Sequence, residues 1–163
     1  MNNNILENIN DLILEVVKED SAAQNKEYKV IARTKFILHR HDANRAGIHY
    51  DLRLQQLDGD KKVLSFAIPK ADIPGGREKY LAVTNFLHEP KWVDIDDIDI
   101  PEGYGAGRIE LLEKGTMDIY KWDKKNNITF SFNGKHLKGI YHIIRAKFKG
   151  SDKDNQYLFF AAK

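Results

Sequence analysis

The first patterned segment of the chain is amphipathic. Residues 5–18 carry aliphatic side chains at helical spacing with polar residues between them: Ile5, Ile9, Leu12, Ile13, Val16 and Val17. This spacing gives an apolar stripe on one face and predicts a helix over 5–18, which ends near the polar stretch 19–26. We expect the helix to pack on the domain's own core, with docking onto a partner as the alternative.

From residue 28 onwards the pattern changes to short runs rich in β-branched and aromatic residues. Nine runs are predicted as strands: 28–39, 48–57, 63–69, 80–86, 108–112, 117–122, 128–132, 140–148 and 157–161. Turn-forming pairs at 58–59, 75–76, 126–127 and 133–134 separate several of them. Strands at such regular spacing predict a mainly β fold, either an antiparallel barrel or a sandwich.

One predicted strand has an unusual polar face. From residue 49 the alternation places His49, Asp51 and Arg53 on one side, and His41 lies just upstream. His49 and Asp51 would lie about 6 to 7 Å apart along the strand, and imidazole and carboxylate are ligands for divalent transition metals. Arg53 could hold an anion that the metal also binds. The alternative is a solvated outer face with an incidental histidine.

The composition narrows the function classes. At 163 residues, 42% hydrophobic and 31% charged, the chain fits one ordinary globular domain, and no apolar run approaches the length of a membrane span. Cysteine is absent, which excludes disulfides, Fe–S clusters and thiolate zinc sites. No basic signal region precedes an apolar stretch, so we expect a cytoplasmic location. The net charge of +2 does not indicate a general polyanion binder.

Other polar motifs are weaker by themselves. The acidic segment 94–99 lacks the glycine and distal glutamate of a calcium loop and is predicted to be a solvated loop. The glycine-rich segment 101–107 matches neither a P-loop nor a dinucleotide fingerprint. Ser65 and Lys70 lie in one strand and at its end, and His88 lies at the end of another.

Several blocks, taken in order, resemble one known family. They are HDA at 41–43, HYDLRL at 49–54, LSFAIPK at 64–70, LAV at 81–83 before His88, IPEGYGAG at 100–107 and FNGKHLKG at 132–139. These blocks resemble the 3′-phosphoesterase domain found in bacterial ligase D and in stand-alone proteins. The likeness extends over about residues 36–163 and is more specific than any single motif.

The resemblance implies a single-domain β-barrel enzyme that heals 3′ ends at DNA breaks. Residues 1–26 would form the helix and a linker, and 27–163 the barrel. With Mn²⁺, or another divalent transition metal, such enzymes remove a terminal 3′-ribonucleoside and then the remaining 3′-phosphate. The implied metal ligands are His41, His49 and Asp51, which would meet at one cation inside the barrel. The implied contacts to the scissile phosphate are Arg53, Lys70 and His88, with Ser65 beside them.

The implied partners are the 3′ ends of DNA or RNA–DNA primer–templates, together with a DNA ligase and a polymerase, and a monomer is expected. The chain departs from the family at its N-terminus, because no counterpart of the family's Arg-Asp pair and Glu precedes Phe36. This departure favours an alternative, a non-catalytic DNA-end-binding or ligase-docking module on the same barrel. The modest net charge also permits a phosphoesterase that acts on a small or RNA substrate.

Overall fold

Nine β-strands and one turn of 3₁₀ helix make up the regular structure in the computed structural model, which describes residues 28–57, 62–69, 78–84 and 87–162. The predicted helix over 5–18, like the turns at 58–59 and 75–76, lies outside the described residues. Within the described part, no helix has both the length and the apolar character needed to cross a membrane.

The strands form one antiparallel sheet that closes on itself. They are β1 (Ala32–Ala43), β2 (Gly47–Gln55), β3 (Val63–Ile68), β4 (Tyr80–Thr84), β5 (Ile98–Ile100), β6 (Gly107–Asp123), β7 (Asn127–Asn133), β8 (Lys138–Arg145) and β9 (Gln156–Ala161). The order is β1-β2-β3-β4-β9-β8-β7-β6, and β6 pairs back with β1. This last pairing makes an eight-stranded barrel rather than a sandwich, while the short β5 pairs with β6.

The barrel interior is filled by the apolar side of every strand in the ring. Because side chains alternate along a strand, each strand contributes every second residue to this core. One buried member from each strand, in ring order, is Phe36, Leu52, Phe66, Ala82, Phe159, Tyr141, Phe130 and Met117. Phe132 packs edge-to-face against Phe36, with 4.6 Å between ring centroids, and against Tyr141 at 4.9 Å. The interior is therefore a packed aromatic and aliphatic core.

A connecting segment, residues 87–106, covers part of the barrel's outer surface, and we call it the covering segment. Its 3₁₀ turn (Pro90–Val93) packs on β1, β2 and β3, and Val93 is buried against Ile37 and Val63. Two backbone hydrogen bonds, of 2.8 and 3.0 Å, join His88 to Val63. Exposed ion pairs, such as Lys114 with Asp96 at 2.6 Å, attach the segment to β6.

The predicted mainly β fold is confirmed, but three details of the prediction are wrong. The first strand does not end at residue 39, because its pairing with β2 continues to Ala43. The runs 108–112 and 117–122 are one strand, β6, since Gly115 lies within it where a Cβ would come 3.1 Å from the Phe36 ring. The acidic segment 94–99 is not simply a loop: its last two residues begin β5.

Candidate metal centre

The register of the β1–β2 hairpin brings the sequence-predicted ligands together. His41 on β1 lies directly opposite His49 on β2, and the next outward-facing pair is His39 with Asp51. Directly opposed residues of antiparallel strands have Cβ atoms about 4.5–5.5 Å apart, so their side chains can meet. These residues alternate with the core residues Leu38 and Leu52. The cluster therefore faces away from the barrel interior, and the expectation of a cation inside the barrel is wrong.

Asp51 is the centre of the cluster. Its Oδ2 lies 3.2 Å from His41 Nδ1, and its Oδ1 lies 3.4 Å from His49 Nε2. One ligand atom from each of the three residues lies within 4.8 Å of the others. His41 and Asp51 are buried, and His49 keeps 15% of its side chain exposed. The three groups can therefore share one ion that reaches the site from the side of His49.

Backbone carbonyls fix which imidazole nitrogens are available to a metal. His41 Nε2 lies 2.8 Å from the carbonyl oxygen of Gly105, and His49 Nδ1 lies 3.3 Å from that of Gly47. A ring nitrogen facing a carbonyl must donate its proton, so a metal can bind only the other nitrogen of each ring, once that nitrogen has lost the proton it donates to Asp51. The nitrogens available to a metal are therefore those that face Asp51. Two imidazoles and one carboxylate thus present nitrogen and oxygen donors that fit a divalent transition metal.

The charges within the cluster support one another. Burial by itself raises the pKa of Asp51, but hydrogen bonds from His41 and His49 and the positive charge of Arg53 lower that pKa well below its usual value. The hydrogen bond to Asp51 raises the pKa of His49, against the opposing effect of burial. Asp51 is therefore a carboxylate across the whole physiological range, as a metal ligand must be.

Arg53 follows Asp51 on the same face and is almost fully buried. Its Nη2 lies 3.5 Å from Asp51 Oδ2, and its Cζ lies 4.8 Å from the ring centroid of Trp92 in the covering segment. Burial lowers the pKa of Arg53 from its ordinary value, and Asp51 opposes that shift. Among the described residues, Arg53 Nε has no hydrogen-bond partner. A buried guanidinium with an unused donor beside a candidate metal site is suited to binding an anion.

The structure describes two of the three remaining predicted site residues, Ser65 and His88. Ser65 lies opposite Arg53 on β3, is 1% exposed, and its Oγ has no partner within the described ranges. His88 lies in the covering segment, with its ring centroid 6.0 Å from that of Trp92, which in turn stacks on Arg53. Lys70 lies outside the described residues. The structure thus connects Ser65 and His88 to Arg53 and leaves Lys70 as a prediction.

The sequence reasoning missed His39. This residue is fully buried, accepts a 2.6 Å hydrogen bond from Arg53 Nη1 at Nδ1, and donates one of 2.6 Å from Nε2 to the carbonyl oxygen of Ile95. Burial lowers the pKa of His39, which agrees with a neutral ring. In a strand that continues past residue 39, His39 and His41 lie on the same face, and this alternation was the available signal. The predicted strand ends at residue 39, so it does not place the two histidines on one face.

Fold and site together define a class: a closed antiparallel barrel that carries a candidate metal centre next to a buried arginine on its outer face. The family described as the DNA ligase D 3′-phosphoesterase domain matches residues 39–145, which include His39, His41, His49, Asp51 and Arg53. The chain belongs to this family.

Curated relatives agree with this assignment. The multifunctional non-homologous end joining protein LigD of Pseudomonas aeruginosa is 34% identical over 134 residues, which are 79% of this chain and 15% of that protein. The multifunctional non-homologous end joining DNA repair protein LigD of Mycobacterium tuberculosis is 29% identical over 114 residues, 68% of this chain and 14% of that protein. The chain therefore matches about a seventh of the length of these relatives.

Proposed function

We propose that this protein is a metal-dependent phosphoesterase that removes a 3′-phosphate from DNA ends to leave a 3′-hydroxyl for repair. The single observation that supports this most is the meeting of His41, His49 and Asp51, with ligand atoms within 4.8 Å, in a barrel of the 3′-phosphoesterase family. Membership of this family indicates the class of reaction, and the cluster provides ligands for the metal ion that such a reaction needs.

His41, His49 and Asp51 would hold the metal, and we propose Mn²⁺ because the family resemblance implies it. A bound divalent ion supplies Lewis-acid polarisation of a phosphoryl oxygen and lowers the pKa of water. The protein's own contribution is orientation. The carbonyl oxygens of Gly105 and Gly47 accept from one nitrogen of each ring, so the nitrogens that face Asp51 are the ones a metal would bind.

Arg53 is proposed to bind the phosphate. Its position 3.5 Å from Asp51 would place the guanidinium beside the metal, where charge builds up on the phosphoryl oxygens. Ser65 Oγ and the His88 ring are proposed to complete the phosphate site from β3 and the covering segment. Lys70, two residues after β3 in the sequence, is proposed as a further phosphate contact. Donors that are fixed before the substrate arrives cost no reorganisation during the reaction.

We propose the phosphatase step as the main activity. Removal of a terminal 3′-ribonucleoside also needs contacts to the ribose, and the sequence before Phe36 contains no counterpart of the residues that supply them in the family. The proposed substrates are the 3′ ends of DNA or primer–template duplexes. The proposed context is end joining with a DNA ligase and polymerase, since the relatives' names refer to this process.

The direct test is incubation with Mn²⁺ and a DNA primer–template that ends in a 3′-phosphate, with product analysis by gel. We expect conversion to a 3′-hydroxyl end by the wild type, and loss of conversion in His49→Ala and Asp51→Ala. His136→Ala and Asp152→Ala are matched controls, because both residues are exposed and neither lies in the cluster. Both controls should retain wild-type rates.

The outcomes separate the alternative functions. Duplex binding with unchanged substrate would contradict the proposed enzyme and favour the non-catalytic end-binding module. Turnover of a small phosphomonoester or an RNA end, without turnover of the DNA end, would favour a phosphoesterase with another substrate. A 3′-ribonucleotide end tested in parallel shows whether the ribonuclease step is present.

A further inference from the structure

Arg53 donates a hydrogen bond to His39, a residue that lies outside the predicted metal and phosphate contacts. His39 is 0% exposed and joins two parts of the chain that are distant in sequence, β2 through Arg53 and the covering segment through Ile95. Both contacts are 2.6 Å long. His39 itself faces Asp51 across the hairpin, so it lies at the edge of the candidate metal centre.

The two contacts of His39 allow a single protonation state. The carbonyl oxygen of Ile95 only accepts, so the ring nitrogen Nε2 must carry the proton. The guanidinium of Arg53 only donates, so Nδ1 must be the unprotonated acceptor. The hydrogen-bond geometry therefore requires a neutral imidazole, with one donor and one acceptor in fixed directions.

A neutral acceptor has a specific advantage beside an anion-binding arginine. It fixes one Nη of Arg53 without placing a second negative charge on the guanidinium, which already faces Asp51 at 3.5 Å. The face of Trp92 at 4.8 Å restricts rotation of the guanidinium plane. His39, Asp51 and Trp92 thus hold the guanidinium from three directions and leave Nε–H without a partner in the described part of the chain.

We propose that His39 is a positioning residue that holds Arg53 ready for the phosphate while preserving its positive charge. This proposal rests on the proposed function, because it assigns phosphate binding to Arg53. It implies that the acceptor at position 39 must be neutral. A carboxylate at this position would hold the guanidinium but would compete with the phosphate for it.

The test compares His39→Gln, His39→Leu and His39→Glu in the full chain. Glutamine keeps a neutral acceptor for Arg53 and a donor for Ile95, leucine removes both, and glutamate supplies a charged acceptor. We expect His39→Leu to weaken binding of inorganic phosphate to the Mn²⁺-loaded protein, and to raise KM for the 3′-phosphate substrate, by about 10- to 100-fold. His39→Gln should restore most of the loss, and His39→Glu should not.

A double-mutant cycle separates positioning from general structure. In an Arg53→Met background, His39→Leu should weaken phosphate binding by less than about twofold, since its effect acts through the arginine. His142→Leu is the matched control: His142 is also buried, on β8, where it contacts Thr129 at 2.9 Å. That variant should leave phosphate binding unchanged. Mn²⁺ affinity and melting temperature, measured for every variant, report loss of the metal site or of the fold.

The results distinguish this proposal from the proposed function. Equal phosphate binding by the wild type and a folded His39→Leu variant would overturn the positioning role alone. So would His39→Leu weakening phosphate binding as much in the Arg53→Met background as it does in the wild type. Wild-type protein that binds phosphate but does not hydrolyse the substrate would overturn the enzyme and still test His39 through binding. If the wild type neither binds nor hydrolyses, both proposals fail.

Discussion

Replacing Asp51 by asparagine tests whether the cluster is a buried charge network. The substitution keeps the size of the side chain and removes its negative charge. Asp51 is 5% exposed and Arg53 is 3% exposed, so the change leaves a buried cation without its counter-charge. It also weakens the interactions of both carboxylate oxygens with His41 and His49.

The size of the effect follows from burial. Removing one partner of a buried ion pair typically costs about 3–5 kcal/mol, because the other charge stays desolvated. The 3.5 Å separation of Arg53 and Asp51 is long, and His39 also accepts a hydrogen bond from the arginine. We therefore expect the lower end of the range, a loss of about 3 kcal/mol in the free energy of unfolding. For a chain of this size, that loss lowers the melting temperature by about 6–12 °C.

The assay is urea denaturation at pH 7 with a chelator, so that metal binding does not contribute to stability. The free energy of unfolding should fall with urea concentration at the wild-type slope, which would show that only the stability has changed. Arg53→Met provides the second arm. In that background Asp51→Asn should cost about 1 kcal/mol or less, since the cation that it would strand is absent.

Two results would refute the reasoning. A loss below about 0.5 kcal/mol for Asp51→Asn would match a solvated surface pair and contradict the buried network. An equal loss with and without Arg53 would show that the cost arises from the histidine contacts and not from the ion pair.

Two further predictions concern the protonation of His49 and the substitution of Gly107. Because the folded-state pKa of His49 is raised above its ordinary 6.5, this residue stabilises the metal-free protein fully below about pH 6.5, and the stabilisation disappears as pH rises through the folded value. The melting temperatures of wild type and His49→Gln, measured as a function of pH, should therefore converge at high pH. A constant difference at every pH would contradict the raised pKa. Gly107 has φ +143°, and a Cβ there would meet the backbone oxygen of Asp42 at 2.1 Å, whereas Gly139, at φ +86°, has nothing within 4 Å. Gly107→Ala should thus destabilise by more than the roughly 1 kcal/mol expected for Gly139→Ala, and equal melting temperatures would count against the clash.

The sequence predicted the local pattern of the site well. The period of two along residues 49–54 placed His49, Asp51 and Arg53 on one face, and the structure shows that face. The turn residues at 126–127 and 133–134 also lie at the ends of β7, as predicted. These features depend on neighbours a few residues apart, so the chain order contains them.

Other features could not be inferred from local pattern. The predicted strands 108–112 and 117–122 leave Gly115 between them, yet it is the point where β6 passes close to the Phe36 ring and the backbone of Asn133. The extent of β1 depended on its pairing with β2 and β6 beyond residue 39. In both cases a strand from another part of the chain decided the outcome.

By itself, the sequence determined which side chains share a face, because alternation is a property of the extended backbone. Only the tertiary structure decided what each face meets. Closure of the ring through β1 and β6 directed the apolar faces inward, and the covering segment then buried the polar face of the β1–β2 hairpin. His39 meets Arg53 through the register of the hairpin, and it meets Ile95, 56 residues further along the chain, because the covering segment folds back over the hairpin.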